Sequence, residues 1–255
     1  MSERQAGPLR SRQFRARHVP LIAACLLSMA MLLGDARVAQ AESAYLAEPA
    51  PANVESLMSF FAKAGAVRAR FASTQRISIL AAALESEGEL YFEPPDRMVR
   101  NTTRPGRSKV IVEGTRVAML DETGLRRMDL SRSGPARGLV ENMMLVLRGD
   151  LRGLNERYFA AYQVEAGKSR EGARWTLSLE PRDPAVAALV AEILFEGRGH
   201  RLESMLTREA NGDSTQTRFE DVGFGEEISE SDRARLFSIE AADLIDSVAG
   251  GPLAP

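Results

Sequence analysis

The fold is decided by residues 87–120, which read EGELYFEPPDRMVRNTTRPGRSKVIVEGTRVAML. Leu90 and Phe92 alternate with more polar neighbours, as in a strand with one apolar face. The segment 94–96 ends this strand because proline cannot donate to a β-ladder. Two further alternating runs flank the glycine-containing connection 113–115, which is typical of a hairpin. The stretch therefore predicts an antiparallel meander.

Outward from this stretch the same alternation recurs on both sides. Apolar residues at helical spacing predict a helix over Val54–Ala64 before the strands, and a short helix near Ser231 after them. The segments with strand periodicity are 67–79, 88–93, 97–103, 108–112, 116–120, 125–130, 163–166, 174–180, 190–195, 202–208 and 215–222. So few helices cannot cover both faces of so long a sheet. We expect a mainly β protein with helices (α+β), a curled antiparallel half-barrel of about ten or eleven strands with helices over its mouth.

Two amphipathic helices are predicted in the middle of the chain, between two blocks of strands. The first carries a stripe of apolar residues from Leu139 to Leu147 at helical spacing. Asp150 is a suitable N-cap for the second, whose apolar side includes Leu154, Tyr158 and Phe159. We expect this pair to form the cover of the half-barrel, and its two adjacent methionines suit a surface that repacks around ligands.

The first 41 residues have the pattern of a secretory signal peptide. A basic head precedes an apolar stretch from Val19 to Leu33, and Ala39-Gln40-Ala41 is a small-residue cleavage signature. We expect cleavage after Ala41 and a protein exported to the periplasm. The predicted organisation is a signal peptide (1–41), a flexible leader (42–53), a main domain (54–225), and a C-terminal helix with a tail (226–255).

Charge and composition argue against several classes of function. Of the 255 residues, 44% are apolar and 27% charged, as in an ordinary globular protein. Residues 1–41 contain six arginines and two acidic residues, so their removal takes the net charge from −2 to about −6. That charge disfavours nucleic acid as a partner. Cys25, the single cysteine, lies in the predicted signal peptide, so we expect the chain cleaved after Ala41 to have no thiol chemistry.

No residue pattern indicates catalysis. His200, the single histidine after the leader, lies in a predicted turn, where we expect it to be solvated. It has no second histidine or acid at metal-ligand spacing, and no glycine-rich phosphate loop or GxSxG elbow occurs. We therefore expect neither an enzyme, a metal site nor a cofactor.

Four segments together resemble the LolA family of periplasmic lipoprotein carriers. They are Phe71-Ala72-Ser73-Thr74-Gln75, the run from Ser86 to Pro95, Val110-Ile111-Val112-Glu113-Gly114-Thr115, and the run from Asn211 to Phe219. The resemblance implies a curled antiparallel sheet covered by helices, with an apolar cavity that takes acyl chains. It also implies a monomeric carrier that moves a lipoprotein or another acylated lipid between the inner and outer membranes. Its partners would be an inner-membrane transporter and an outer-membrane acceptor.

The resemblance also suggests site residues. The expected cavity wall consists of Phe71, Leu90, Phe92, Met98, Val110, Val112 and Met119. The expected lid consists of Leu139, Met143, Met144, Leu147 and Phe159. Arg97 or Arg100 would meet an anionic head group, the alternative being that both are outward-facing strand charges. Pro94 stands where the family has an arginine that latches the lid.

A second class of function fits the same architecture. The half-barrel also resembles the sensor domain of periplasmic anti-sigma regulators, which bind a partner protein and sense lipid. A protein-binding regulatory module is therefore the alternative to a carrier.

Overall fold

The computed structural model describes residues 49–130, 144–165, 173–225 and 228–239. Its strands form one antiparallel sheet of eleven strands. The strands are β1 (Val67–Arg76), β2 (Leu84–Glu93), β3 (Arg97–Arg104), β4 (Ser108–Glu113), β5 (Arg116–Asp121), β6 (Gly124–Asp129), β7 (Tyr158–Val164), β8 (Arg174–Pro181), β9 (Val190–Arg198), β10 (Arg201–Glu209) and β11 (Ser214–Phe224). The predicted strand content and the antiparallel meander are confirmed.

The helices are short, apart from the first. They are α1 (Val54–Ala64), α2 (Leu151–Arg157), α3 (Pro184–Ala187) and α4 (Glu230–Leu236), and residues 144–147 form a further helical turn. The predicted bounds of α1 are confirmed, and the Asn53 side chain caps it by accepting a hydrogen bond of 2.9 Å from the Ser56 backbone N–H. None of the described helices is long and apolar enough to cross a membrane.

The strand order shows two meanders that meet in the middle of the sheet. β1 starts beside β11 and the chain proceeds outward to β6, while β7 lies at the opposite edge and the chain returns inward to β11. The β1–β11 pairing runs from Val67↔Phe224 to Arg76↔Ser214 and joins the halves. The sheet is curled and unclosed, and we call the side that carries Leu90 and Phe92 the concave face.

The second predicted helix of the central pair is shorter than expected. The prediction that it continues through Tyr158 and Phe159 is wrong, because α2 ends at Arg157 and the chain enters β7 at once. Tyr158 there pairs with Pro181 and is buried, whereas Phe159 and the rest of the strand are exposed or half-buried. Cross-strand pairing with β8 therefore outweighs a helical spacing that the aromatic residues fit equally well.

Several predictions fall on residues that the structure does not describe. They are the signal peptide with its cleavage site after Ala41, most of the leader, the tail from residue 240, and the predicted lid residues Leu139 and Met143. These stay predictions.

Candidate functional site: the concave face of the sheet

The seven residues predicted to line a cavity share one face and one buried cluster. Cross-strand pairing aligns Phe92, Met98 and Val112 in one row, and the next row contains Leu90, Val110 and Met119. Each is at most 5% exposed, as is Phe71. The prediction that the Leu90/Phe92 and Val110/Val112 faces point inward is confirmed. Their contact with a ligand stays a prediction.

Helical residues fill the concave face. Leu57, Met58 and Phe61 of α1 belong to the same buried cluster. We call residues 144–157, which precede β7, the covering segment. It buries Met144, Leu145, Val146, Leu147 and Leu154 there. Met144 and Leu147, two of the predicted lid residues, thus lie over the apolar face.

The covering segment is seated on α1 through a glycine. Gly149 has a φ of +68°. A Cβ at this position would lie 2.2 Å from the Met58 carbonyl oxygen and 2.4 Å from the Ala62 nitrogen. Only glycine allows both the left-handed backbone and this approach. Asp150 then caps α2 by accepting a hydrogen bond of 2.9 Å from the Gly153 N–H. This confirms the predicted cap. The covering segment therefore packs closely against α1 at Gly149.

One end of the concave face carries buried hydroxyl groups. We call Ser73, Thr102, Thr207, Thr215 and Thr217 the hydroxyl band; each is at most 7% exposed. The Ser73 and Thr217 hydroxyls share a hydrogen bond of 3.0 Å. Those of Thr102, Thr207 and Thr215 make no hydrogen bond with the part of the chain that the structure describes. Buried hydroxyls normally have partners, so the band has capacity for a polar group.

Sequence reasoning missed this band. Thr215 and Thr217 alternate with Gln216 and Arg218, so both sides of the strand look polar. A period of two cannot choose between two polar faces. The usable signal in the sequence is that Phe71 and Phe219 lie two residues from Ser73 and Thr217, and therefore on the same side of β1 and β11. In the structure these two phenylalanines are buried and pair with each other.

The structure separates the two arginines that were predicted to contact a head group. Arg100 is only 3% exposed on the concave face, where its guanidinium lies 4.3 Å from the centre of the Phe71 ring and donates a 3.3 Å hydrogen bond to the Ser86 hydroxyl. Arg97 is on the other face. The prediction of an outward charge is therefore wrong for Arg100, and the head-group prediction for Arg97 does not fit its position.

The opposite, convex face has an apolar patch that the sequence analysis did not identify. We call Tyr91, Val99 and Ile111 the convex stripe; all are at most 4% exposed. The signal was present, because Leu90-Tyr91-Phe92 and Val110-Ile111-Val112 are continuous apolar runs, as in strands buried on both faces.

The C-terminal end of the described chain packs over this stripe. The Phe237 ring meets the Tyr91 ring edge-on, with 6.0 Å between their centres, and the Arg97 guanidinium lies 3.8 Å from the centre of the Phe237 ring.

Charged side chains also hold α4 beside the convex stripe. Arg233 is 2.7 Å from a Glu93 carboxylate oxygen, and the Lys109 ammonium donates a hydrogen bond of 3.3 Å to the Arg235 carbonyl. Arg97 also pairs with Glu93 and Glu113 at 3.1 and 3.0 Å. The predicted helix near Ser231 is thus α4, held beside the stripe by charges.

Two tyrosines, one on each face of the sheet, have raised pKa values. Burial raises the pKa of Tyr162 to about 12, and its hydroxyl donates a 2.7 Å hydrogen bond to the Pro51 carbonyl. Its ring lies 6.2 Å from that of Trp175 in the concave core. Burial, followed by the nearby Glu93 carboxylate, raises the pKa of Tyr91 on the convex face.

Two other residues lie away from their expected positions. Phe159, predicted in the lid, is on β7, 56% exposed, with the Arg182 guanidinium 3.9 Å from its ring centre. His200 is half-buried rather than solvated, because α1 passes over its turn and Phe60 stacks on it at 4.3 Å. Within the described residues no three His, Cys, Asp or Glu side chains are grouped as metal ligands.

No curated protein matches the chain. Among solved structures, it is similar to a LolA superfamily protein from Nitrosomonas europaea, with 11% identity, 70% of this chain and 96% of that chain covered, and a TM-score of 0.39. A DUF1329 family protein from Desulfovibrio piger is similar at 13% identity, with 77% and 99% covered and a TM-score of 0.39. The MucA/MucB complex of Pseudomonas aeruginosa is matched at 15% identity, with 75% and 62% covered and a TM-score of 0.37.

The family is shown by a match at the level of sequence. The model of the outer membrane lipoprotein carrier protein LolA-like family matches residues 46–226, which is most of the chain. That range includes every strand of the sheet and the concave face. The chain therefore belongs to the LolA-like family.

Proposed function

We propose that this protein is a periplasmic carrier that binds the acyl chains of a lipoprotein or another lipid against its concave face. One observation carries the proposal: a continuous buried apolar face ends in the hydroxyl band beside the buried Arg100. An acylated molecule has the same division, with long apolar chains joined to a polar head. The apolar rows would take the chains, and the band would take the head group.

The covering segment must move for cargo to enter, because its side chains occupy the apolar face. Complete burial of one chain of about sixteen carbons would contribute about 12 kcal/mol at roughly 0.8 kcal/mol per CH₂ group. Several such chains would exceed the practical limit of about 20 kcal/mol for affinity, and a carrier must also release its cargo. We therefore expect partial burial of the chains, with the work of displacing the covering segment lowering the net affinity.

We expect the covering segment to separate from α1 at the close contact made by Gly149. The family's latching arginine is replaced by Pro94, which lies in the connection between β2 and β3. In this chain the glycine contact would take over the latching of the cover. The carrier would act as a monomer, receive cargo from an inner-membrane transporter and deliver it to an outer-membrane acceptor.

The first test is native mass spectrometry with lipid extraction, on protein purified gently from the periplasm of its own host. We expect a stoichiometric acylated species. The proposal would be contradicted by a protein that is empty and that also binds no apolar dye, as measured by energy transfer from Trp175 to the dye. That result would favour the protein-binding regulatory module.

The second test uses two arginines on one strand as a matched pair. Arg100→Gln removes the buried charge on the concave face, whereas Arg97→Gln removes a charge from the convex face. We expect Arg100→Gln to weaken binding of a fatty acid carboxylate about tenfold, the equivalent of a charge-assisted hydrogen bond. It should leave binding of an uncharged monoacylglycerol nearly unchanged, which also reports that the fold is intact. Equal effects of the two variants would contradict a head-group role for Arg100.

A further inference from the structure

The hairpin between β1 and β2 ends in an exposed apolar loop. Residues 77–84, Ile-Ser-Ile-Leu-Ala-Ala-Ala-Leu, contain no charged side chain, and we call them the apolar tip. Ile79 is 88% exposed, Leu80 and Leu84 are each 46% exposed, and the three alanines are exposed as well. Single apolar residues on a surface are common, but a contiguous exposed run is not, and usually marks a contact surface.

The apolar tip projects beyond its neighbours in the sheet. β2 pairs with β1 from Leu84 onward, but its pairing with β3 begins only at Glu87. The loop is also held in place, since the Ser78 N–H donates to the Asp213 carboxylate at 2.7 Å and the Leu80 N–H donates to the Ile77 carbonyl at 2.9 Å. The tip is thus an ordered projection.

Its shape and charge favour a lipid bilayer over a protein as the occupant. A projecting loop with three alanines offers little that a protein pocket could grip, whereas a bilayer accepts an apolar projection without a complementary surface. Attraction by charge is disfavoured, because the chain after residue 41 carries a net charge of about −6. Contact would therefore depend on burial of apolar side chains and be insensitive to salt.

The tip also stands at the end of the concave face that holds the hydroxyl band. Thr215 pairs with Gln75 and Thr217 with Ser73, only a few residues before the tip in β1. A bilayer touched by the tip would face that end of the concave side.

We propose that the apolar tip, residues 77–84, inserts into the surface of a lipid bilayer and positions this end of the sheet against the membrane. The proposal goes beyond cargo binding and does not require it, since the tip lies outside the concave core.

The test is flotation with uncharged phosphatidylcholine vesicles, using protein expressed from the full chain and purified as the cell processes it. We expect the protein to float with the vesicles at low and at high salt. Ile79→Glu should lower the vesicle-bound fraction about tenfold, since it puts a charge where the isoleucine side chain would enter the bilayer. The matched control is Val164→Glu, which changes a 39% exposed residue at the opposite end of an edge strand and should float like the unmodified protein.

A spectroscopic readout identifies the contact directly. With Ile79→Trp, vesicles of brominated phosphatidylcholine should quench the new indole, while the buried Trp175 serves as the unquenched reference. Failure of the unmodified protein to float, equal flotation of Ile79→Glu, equal loss in Val164→Glu, or dependence on anionic lipid and low salt would each overturn the proposal. Cargo binding, measured separately with a fatty acid, stays unaffected by Ile79→Glu if both proposals hold.

Discussion

The two faces of β2, β3 and β4 are both buried, yet they are buried in different ways. On the concave face, Phe92 and Met98 belong to one cluster that extends across the sheet to Trp175 and includes α1. On the convex face, three apolar side chains form a narrow stripe bordered by charges and flanked by α4, which buries no residue of its own. The concave side is thus the core of the protein, and the convex side is a local cover.

The largest expected effect compares two adjacent aromatic residues that point to opposite faces. Phe92→Ala should lower the free energy of unfolding by about 3–5 kcal/mol, because the surrounding core cannot close around the cavity. Tyr91→Ala should cost about half as much, since α4 can shift into the space. Urea denaturation measures both losses. Equal losses would show that the convex cover is as much a core as the concave one.

The next effect tests how the concave face is closed. Gly149→Ala should cost about 2–4 kcal/mol, from backbone strain at positive φ together with overpacking against α1. It should also raise the uptake of an apolar dye, because the covering segment can no longer pack closely against α1.

The matched control for that change is Gly212→Ala, at φ +90° with no atom near its Cβ position. It isolates the strain alone and should cost about 1–2 kcal/mol without changing dye uptake. If both variants behave alike, the close approach of Gly149 to α1 does not hold the cover.

The smallest effect compares phenol titrations on the two faces. Phe237→Ala should lower the pKa of Tyr91 towards its ordinary value, since the ring that helps to bury it is gone, and leave that of Tyr162 at about 12. Phenolate absorbance, with Tyr91→Phe and Tyr162→Phe as subtractions, separates the two. An unchanged Tyr91 would show that Phe237 does not cover it.

These raised pKa values also fix the sign of the alkaline response. A phenol whose pKa is raised in the folded state contributes stability below about pH 10, where it is protonated in both states. For Tyr162 that contribution is lost as the pH rises from about 10 to about 12. Tyr162→Phe should remove this part of the pH dependence.

Much of this molecule was determined by the sequence alone. The alternation in β1 to β6, the bounds of α1, and the face shared by Leu90, Phe92, Val110 and Val112 were all predictable, because they depend on local periodicity and on which side of a strand is apolar. The family was predictable too, from short segments in a fixed order.

Tertiary structure alone decided the rest, because it depends on pairing between distant segments. Tyr158 and Phe159 became strand residues since β8 was there to pair with them. Arg100 was buried, and Arg97 was not, because the curl assigned one face to the core. The hydroxyl band exists only because β1, β3, β10 and β11 belong to one sheet, and the convex stripe is buried where α4 packs beside it. Sequence periodicity gives each strand two faces, but only the assembled sheet determines what each face contacts.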